Sequence, residues 1–230
     1  MKPAIPKPFK QSARIATIVL AACVSLSPSA SIFAKSHKGE NQPAIRVGVY
    51  NDAHVDRLEL YDAEHQASGL FAEAGVKITW LDYSHKQRSF HCQPEDSSAD
   101  FLLRIASAFG TTPQNSGSDA LGQSMIPPAG YGYVPCGKAS VFYDRVMAFA
   151  SVWAPNSREI LGDAMAHELG HLLLGTRHSS RGIMKALWTF QDLELASRGN
   201  LRFTPEQLAE LQSTVRLAKQ ESSMVAATHH

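Results

Sequence analysis

Residues 154–175 read APNSREILGDAMAHELGHLLLG, and this stretch commits the chain to one long helix that carries chemistry. Asn156 has the side chain of an N-cap, with Glu159 three residues on, where a capping-box acid belongs. Gly175 stands where a left-handed C-cap falls, because glycine accepts positive φ at little cost. Glycine is poor inside a helix, so Gly162 and Gly170 predict close packing there. His167 and His171 are four apart, hence on one helix face, one turn above the other. Two imidazoles so placed reach one metal ion.

Zinc favours nitrogen and sulfur donors in a tetrahedron, and a catalytic zinc keeps three protein ligands and one open position. His178, three residues past Gly175, is the nearest third donor. Glu168 points roughly 100° around the helix axis from His167, so it need not bind the metal. Zinc lowers the pKa of its water towards about 7. A glutamate beside that water takes its proton and passes it to a leaving amine. Six residues beyond His178, Met184 in GIM (182–184) offers an apolar floor under the metal.

The run HELGHLLLGTRH (167–178), closed by Met184, resembles the metzincin clan of zinc metallopeptidases. That clan's pattern is H-E-x-x-H-x-x-G-x-x-H followed by a Met-turn. The likeness covers about 20 residues. It implies His167, His171 and His178 as ligands of one catalytic Zn2+, with Glu168 as general base. Gly175 would be the chain reversal and Met184 the Met-turn, and His178-Ser179 is similar to the matching pair of matrixins. This sequence departs from the pattern by one residue: glycine falls four places after the second histidine instead of three, and the third histidine is one place late. An extra helical residue rotates the exit by roughly 100°, which Thr176 and Arg177 must absorb. The rival third ligand is Glu194 in FQDLELA (190–196), since a gluzincin draws on a downstream glutamate, although no N-E-x-x-S-D-like sequence surrounds it.

The resemblance also implies an edge strand above the helix that aligns an extended peptide, antiparallel, by backbone hydrogen bonds. ASVFYD (139–144) or a neighbour is the candidate strand, and YGYVP (131–135) is a candidate lining of the cleft. Trp188 reads as a core or wall residue. No tyrosine follows Met184 within five residues, so an astacin-like tyrosine ligand is not expected.

At 230 residues the chain is long enough for one domain with a substantial core. Lys2, Lys7, Lys10 and Arg14 precede the apolar run IATIVLAACVSL (15–26), which is too short to span a membrane. With the small residue Ala34 in SIFAKS (31–36), residues 1–34 read as a secretory signal. LAAC (20–23) looks like a bacterial lipobox, so a lipoprotein signal ending before Cys23, with a lipid anchor there, stays open. Either way the expected location is extracytoplasmic or secreted. Residues 35–44 read as a linker, 45–222 as a zinc metallopeptidase-like domain and 223–230 as a flexible tail.

The formal charge of the whole chain is +1. Without the first 34 residues, 18 basic residues face 21 acidic ones, a net −3, which gives no electrostatic case for nucleic acid. The expected partner is a peptide or protein substrate, and a monomer with no transmembrane span is expected. Export favours a disulfide between Cys92 and Cys136 over two buried free thiols. Closing that 44-residue loop stabilises by about 3–4 kcal/mol in the chain-entropy model.

AIRVGVYN (44–51) alternates as a first strand, and Asp52 or Asp56 caps a helix reaching about Ala74. Further strands are predicted within EAGVKITWLDY (73–83), ADFLLRIAS (99–107) and ALGQSMI (120–126). KASVFYDRVMAFAS (138–151) starts as a strand and ends as a helical turn. LRFTPEQLAELQSTVRLAKQ (201–220) is a helix with Thr204 as N-cap and Pro205 at its first position. His54, His65 and His85 sit in polar surroundings and read as surface residues. The fold class is therefore α+β: a mixed, mostly β-sheet N-terminal subdomain, a long active-site helix and a C-terminal helix, metzincin-like. Three functions compete: a secreted zinc endopeptidase, a zinc-binding module without turnover, and a zinc amidase acting on a non-peptide amide.

Overall fold

The computed structural model describes residues 42–84, 90, 99–107, 120–125, 136–153 and 156–228. The signal segment, Cys23, His85, Cys92 and residues 131–135 lie outside them. Cys136 is disulfide-bonded. The elements run β1 (Ala44–Asn51), α1 (Arg57–Glu73), β2 (Lys77–Asp82), β3 (Phe101–Ala106), β4 (Gly122–Met125) and β5 (Gly137–Phe142), followed by α2 (Tyr143–Trp153), α3 (Ser157–Leu174), α4 (Phe190–Ser197) and α5 (Pro205–Thr228). This is the α+β arrangement expected from the sequence, with a five-stranded mixed sheet.

The strand order is β2-β1-β3-β5-β4. The first four of these are mutually parallel, and β4 runs antiparallel to β5, with Gly122 opposite Val141 and Met125 opposite Lys138. Strand alternation decides which face is buried. Ile45, Val47 and Val49 of β1, Phe101, Leu103 and Ile105 of β3, and Ala139 and Val141 of β5 join one core with Leu70 and Phe71 of α1 and the leucines of α3. The opposite face holds a smaller cluster of Tyr50, Tyr83 and Leu102. Because β5 is flanked by β3 and β4, the expected edge strand at 139–144 is interior; among the described strands its neighbour β4 stands at the edge on that side.

α3 is the central element. It touches α1, α2, α4, α5, β4 and β5. A helix surrounded on all sides has to be apolar all round rather than striped, and α3 is buried almost without interruption from Ile160 to Leu174. Gly162 permits its closest contact: a Cβ there would lie 2.6 Å from the Ala63 carbonyl oxygen and 2.7 Å from Gln66 Cβ, both on α1. A Cβ at Gly170 would lie 2.6 Å from Met184 Sδ. Both glycines thus meet the expectation of tight packing.

Several helix ends differ in detail from the sequence. Asn156 occupies the cap position of α3, but at φ −119 and ψ 86 its side chain makes no capping bond. Tertiary contacts hold this end instead: Ser157 Oγ donates to Glu59 Oε1 at 2.9 Å, and Arg158 pairs with Asp62 at 2.7 Å. Asp56 caps α1. Thr204 and Gln207 bond reciprocally at the start of α5. α5 runs from Pro205 to Thr228. α2 is a full 11-residue helix instead of one turn. α4 was not foreseen; it starts with a capping box between Thr189 and Asp192. Among the described residues no helix is long and apolar enough to cross a membrane.

Candidate metal centre

The last two turns of α3 carry His167 and His171, and the chain leaves at Gly175. Gly175 adopts φ 83 and ψ −169, a conformation that a side chain would strain. Its N–H bonds to the His171 carbonyl at 3.0 Å, which ends the helix, and its own carbonyl turns back to accept from His171 Nδ1 at 2.9 Å. Three residues later His178 returns to the same face. His171 Nε2 lies 3.1 Å from His167 Nε2 and 3.2 Å from His178 Nε2. Ring nitrogens of all three lie within 4.8 Å of one another, a group able to hold a metal ion. The three rings form a candidate metal site. The extra residue before Gly175 therefore does not carry His178 away.

The loop after His178 orients His167. Ser179 N–H donates to the Met184 carbonyl at 2.9 Å, and Ile183 N–H donates to the Arg202 carbonyl at 2.8 Å. Held on both sides, the Ile183 carbonyl accepts from His167 Nδ1 at 2.6 Å and from Trp188 Nε1 at 3.1 Å. A carbonyl only accepts, so Nδ1 of His167 and of His171 carries the proton. Each Nε2 is then a bare lone pair. The short Nε2–Nε2 separation of His167 and His171 is therefore not a hydrogen bond between the two rings; it brings two lone pairs side by side. Carbonyl-anchored imidazoles are the usual outer shell of a metal-ligating histidine.

Electrostatics points the same way. Burial, and then the neighbouring His171, push His167 down to about 3. Burial lowers His171 and His178 as well. All three stay neutral at ordinary pH, the form that binds metal. Met184 is fully buried and packs on Gly170, between the two helical histidines in sequence.

Glu168 lines the same cleft beside β4 and is only 6% exposed. Burial raises its carboxyl to about 7, against the lowering effect of a hydrogen bond from Ser124. Ser124 Oγ lies 2.5 Å from Glu168 Oε2 and 2.9 Å from the Glu168 carbonyl oxygen. Glu194, the rival third ligand, is elsewhere: it sits on α4, accepts from Arg198 at 2.7 Å, and is not among the clustered histidines. His54 and His65 are exposed, as expected.

A cleft of about 550 Å³ runs past the histidines. β4 from Gly122 to Ser124 forms one wall, and Leu187 and Trp188 lie on another; Phe149 and Leu193 add apolar surface. Trp188 is thus a wall residue, as the sequence suggests, and it also anchors the carbonyl that orients His167. Ser124 carried no signal in the sequence: it belongs to a four-residue strand and meets Glu168 across 44 residues of chain.

No family model matches this chain, and no curated protein matches it. Among solved structures, one of myroilysin is similar over 75% of this chain and 74% of that chain, with 13% identity and a TM-score of 0.31. At that identity and TM-score the likeness decides neither fold nor function.

Proposed function

We propose that this chain is a secreted zinc-dependent peptidase in which His167, His171 and His178 hold one Zn2+ and Glu168 is the general base. The convergence of three Nε2 atoms, those of His167 and His171 being bare lone pairs, carries the reading. Donors about 2.0–2.1 Å from a tetrahedral zinc stand about 3.3–3.4 Å apart. Two of the three nitrogen pairs here stand at 3.1 and 3.2 Å, close to that edge, and an all-imidazole set suits zinc. A bound zinc ion supplies a Lewis acid and makes water acidic near neutral pH.

The rest is done by the chain itself. Glu168 accepts a proton from the attacking water and delivers it to the departing amine. Its buried position next to His167 keeps the proton near the reacting atoms. β4 ends the sheet, so its outer edge is where an extended peptide can add as a further strand. Such an edge recognises peptide backbone, which favours a peptide over a non-peptide amide. The apolar surface of Phe149, Leu187, Trp188 and Leu193 supports binding of an apolar substrate side chain. The basic-then-apolar segment at 1–34 supports export.

Zinc content by mass spectrometry, with hydrolysis of a fluorescence-quenched peptide library, tests the reading. The expected outcome is one zinc per wild-type chain, and loss of both zinc and hydrolysis in His178→Ala. A His178→Ala protein that keeps full zinc and activity, or a wild type that binds zinc and cleaves no peptide, ends it.

A further inference from the structure

We propose that Ser124 is the positioning residue of Glu168, holding the carboxylate on the inner face of β4 so that Oε1 is left as the oxygen that moves the proton; this rests on the peptidase reading above. Ser124 Oγ lies 2.5 Å from Oε2, and a serine hydroxyl has a single proton to give. The shorter contact, to the carboxyl oxygen, takes that proton. The Glu168 carbonyl oxygen lies 2.9 Å from the same hydroxyl, so the serine sits over the backbone of the helix.

Gly122 completes the cradle. It lies two residues before Ser124, on the same strand face. A Cβ at Gly122 would stand 2.5 Å from Glu168 Oε1, 2.6 Å from Glu168 Cγ and 2.6 Å from the Ser140 carbonyl oxygen of β5. The inner face of β4 is therefore shaped around this one side chain, with a donor for one oxygen and bare backbone under the other. The glutamate loses its rotamer freedom before any substrate arrives.

This gives β4 two tasks. Its outer edge lies in the plane of the sheet and pairs with no other strand among the described residues, while its inner face fixes the base. The distance from scissile bond to base is then set by the width of a single strand. A substitution of the Ser124 side chain leaves the backbone edge in place. It is therefore expected to act on the chemical step and not on substrate binding.

The experiment compares wild type, Ser124→Ala and Ser124→Thr on one fluorescence-quenched peptide cleaved by the wild type. It measures kcat and KM separately, zinc content by mass spectrometry, and Tm. Ser124→Ala is expected to lower kcat by about 10- to 100-fold with KM within about twofold. Zinc content and Tm stay at wild-type values, and Ser124→Thr recovers most of kcat. An unchanged kcat in Ser124→Ala overturns the proposal. So does a fall in kcat accompanied by raised KM, lowered Tm and no recovery in Ser124→Thr, because that pattern is a strand displaced and not a base misaligned. A wild type that cleaves no peptide fails the peptidase reading and this proposal together, whereas a wild type that cleaves as well as Ser124→Ala fails this proposal alone.

Discussion

α3 carries two buried carboxylates five residues apart, Asp163 and Glu168, and their surroundings differ. Burial raises both. Asp163 is closed in by α1: Gln66 Nε2 donates to its Oδ1 at 2.7 Å, Oδ2 has no hydrogen-bond partner among the described residues, and Gly162 beside it lets the two helices meet. Glu168 lies in the wall of the cleft that the three histidines also line, with a hydroxyl on one oxygen. A perturbed acid by itself marks burial; it marks a reactive site only where a substrate can reach it. The junction of α1 and α3 is a place of packing, and the cleft between α3 and β4 is open to a ligand.

The largest expected effect breaks the comparison at its functional end. Glu168→Ala should lower kcat by about 100- to 10,000-fold, the range for loss of a general base, and retain zinc. Asp163→Ala should leave kcat within a few-fold while lowering Tm. Equal losses of activity from the two variants would remove the distinction.

The second test concerns pH. Burial, then Glu159, push Asp163 well up, against Gln66 and Arg202, so the folded chain keeps its proton where the unfolded chain has released it near 3.8. The folded state then binds more protons, and stability falls as pH rises from about 3.8 through the raised folded value. The slope from this one group is at most about 1.4 kcal/mol per pH unit. Asp163→Asn should flatten that slope in denaturant melts between acid and neutral pH. An unchanged slope would show Asp163 to be ionised in the fold.

A third test probes how tightly the junction is closed. Alanine is a better helix former than glycine by about 1 kcal/mol. Gly162→Ala should nevertheless destabilise by about 1–2 kcal/mol, because its Cβ meets the backbone oxygen of Ala63. Gly170→Ala meets the flexible end of Met184 and should cost less, so the ordering of the two denaturation midpoints is the decisive measurement. The smallest effect is expected at Glu194. Its pair with Arg198 is solvent-exposed, so Glu194→Gln should change stability by less than about 0.5 kcal/mol and leave zinc content unaltered.

The helix and its histidines were legible in the sequence because every signal for them is local. The spacing of His167 and His171 follows from helical geometry, and Gly175 with His178 lies within one turn beyond. Whether His178 or Glu194 joins them was not legible, because one inserted residue rotates the helix exit and only the path of the returning chain decides where a ring ends up. The Met184 loop shows the same limit: the methionine was visible, but not that the Ile183 carbonyl before it would orient His167 together with Trp188. α4 is only eight residues long and offered little periodicity, despite its capping box.

By itself the sequence determined the class of secondary structure, the central helix and the shared face of His167 and His171, since local spacing and residue chemistry suffice for these. The tertiary structure decided that β4 and not β5 is the edge strand, and that Ser124 and Gly122 meet Glu168. Strand order is set by which apolar faces bury one another across long stretches of chain, and no local pattern carries that information.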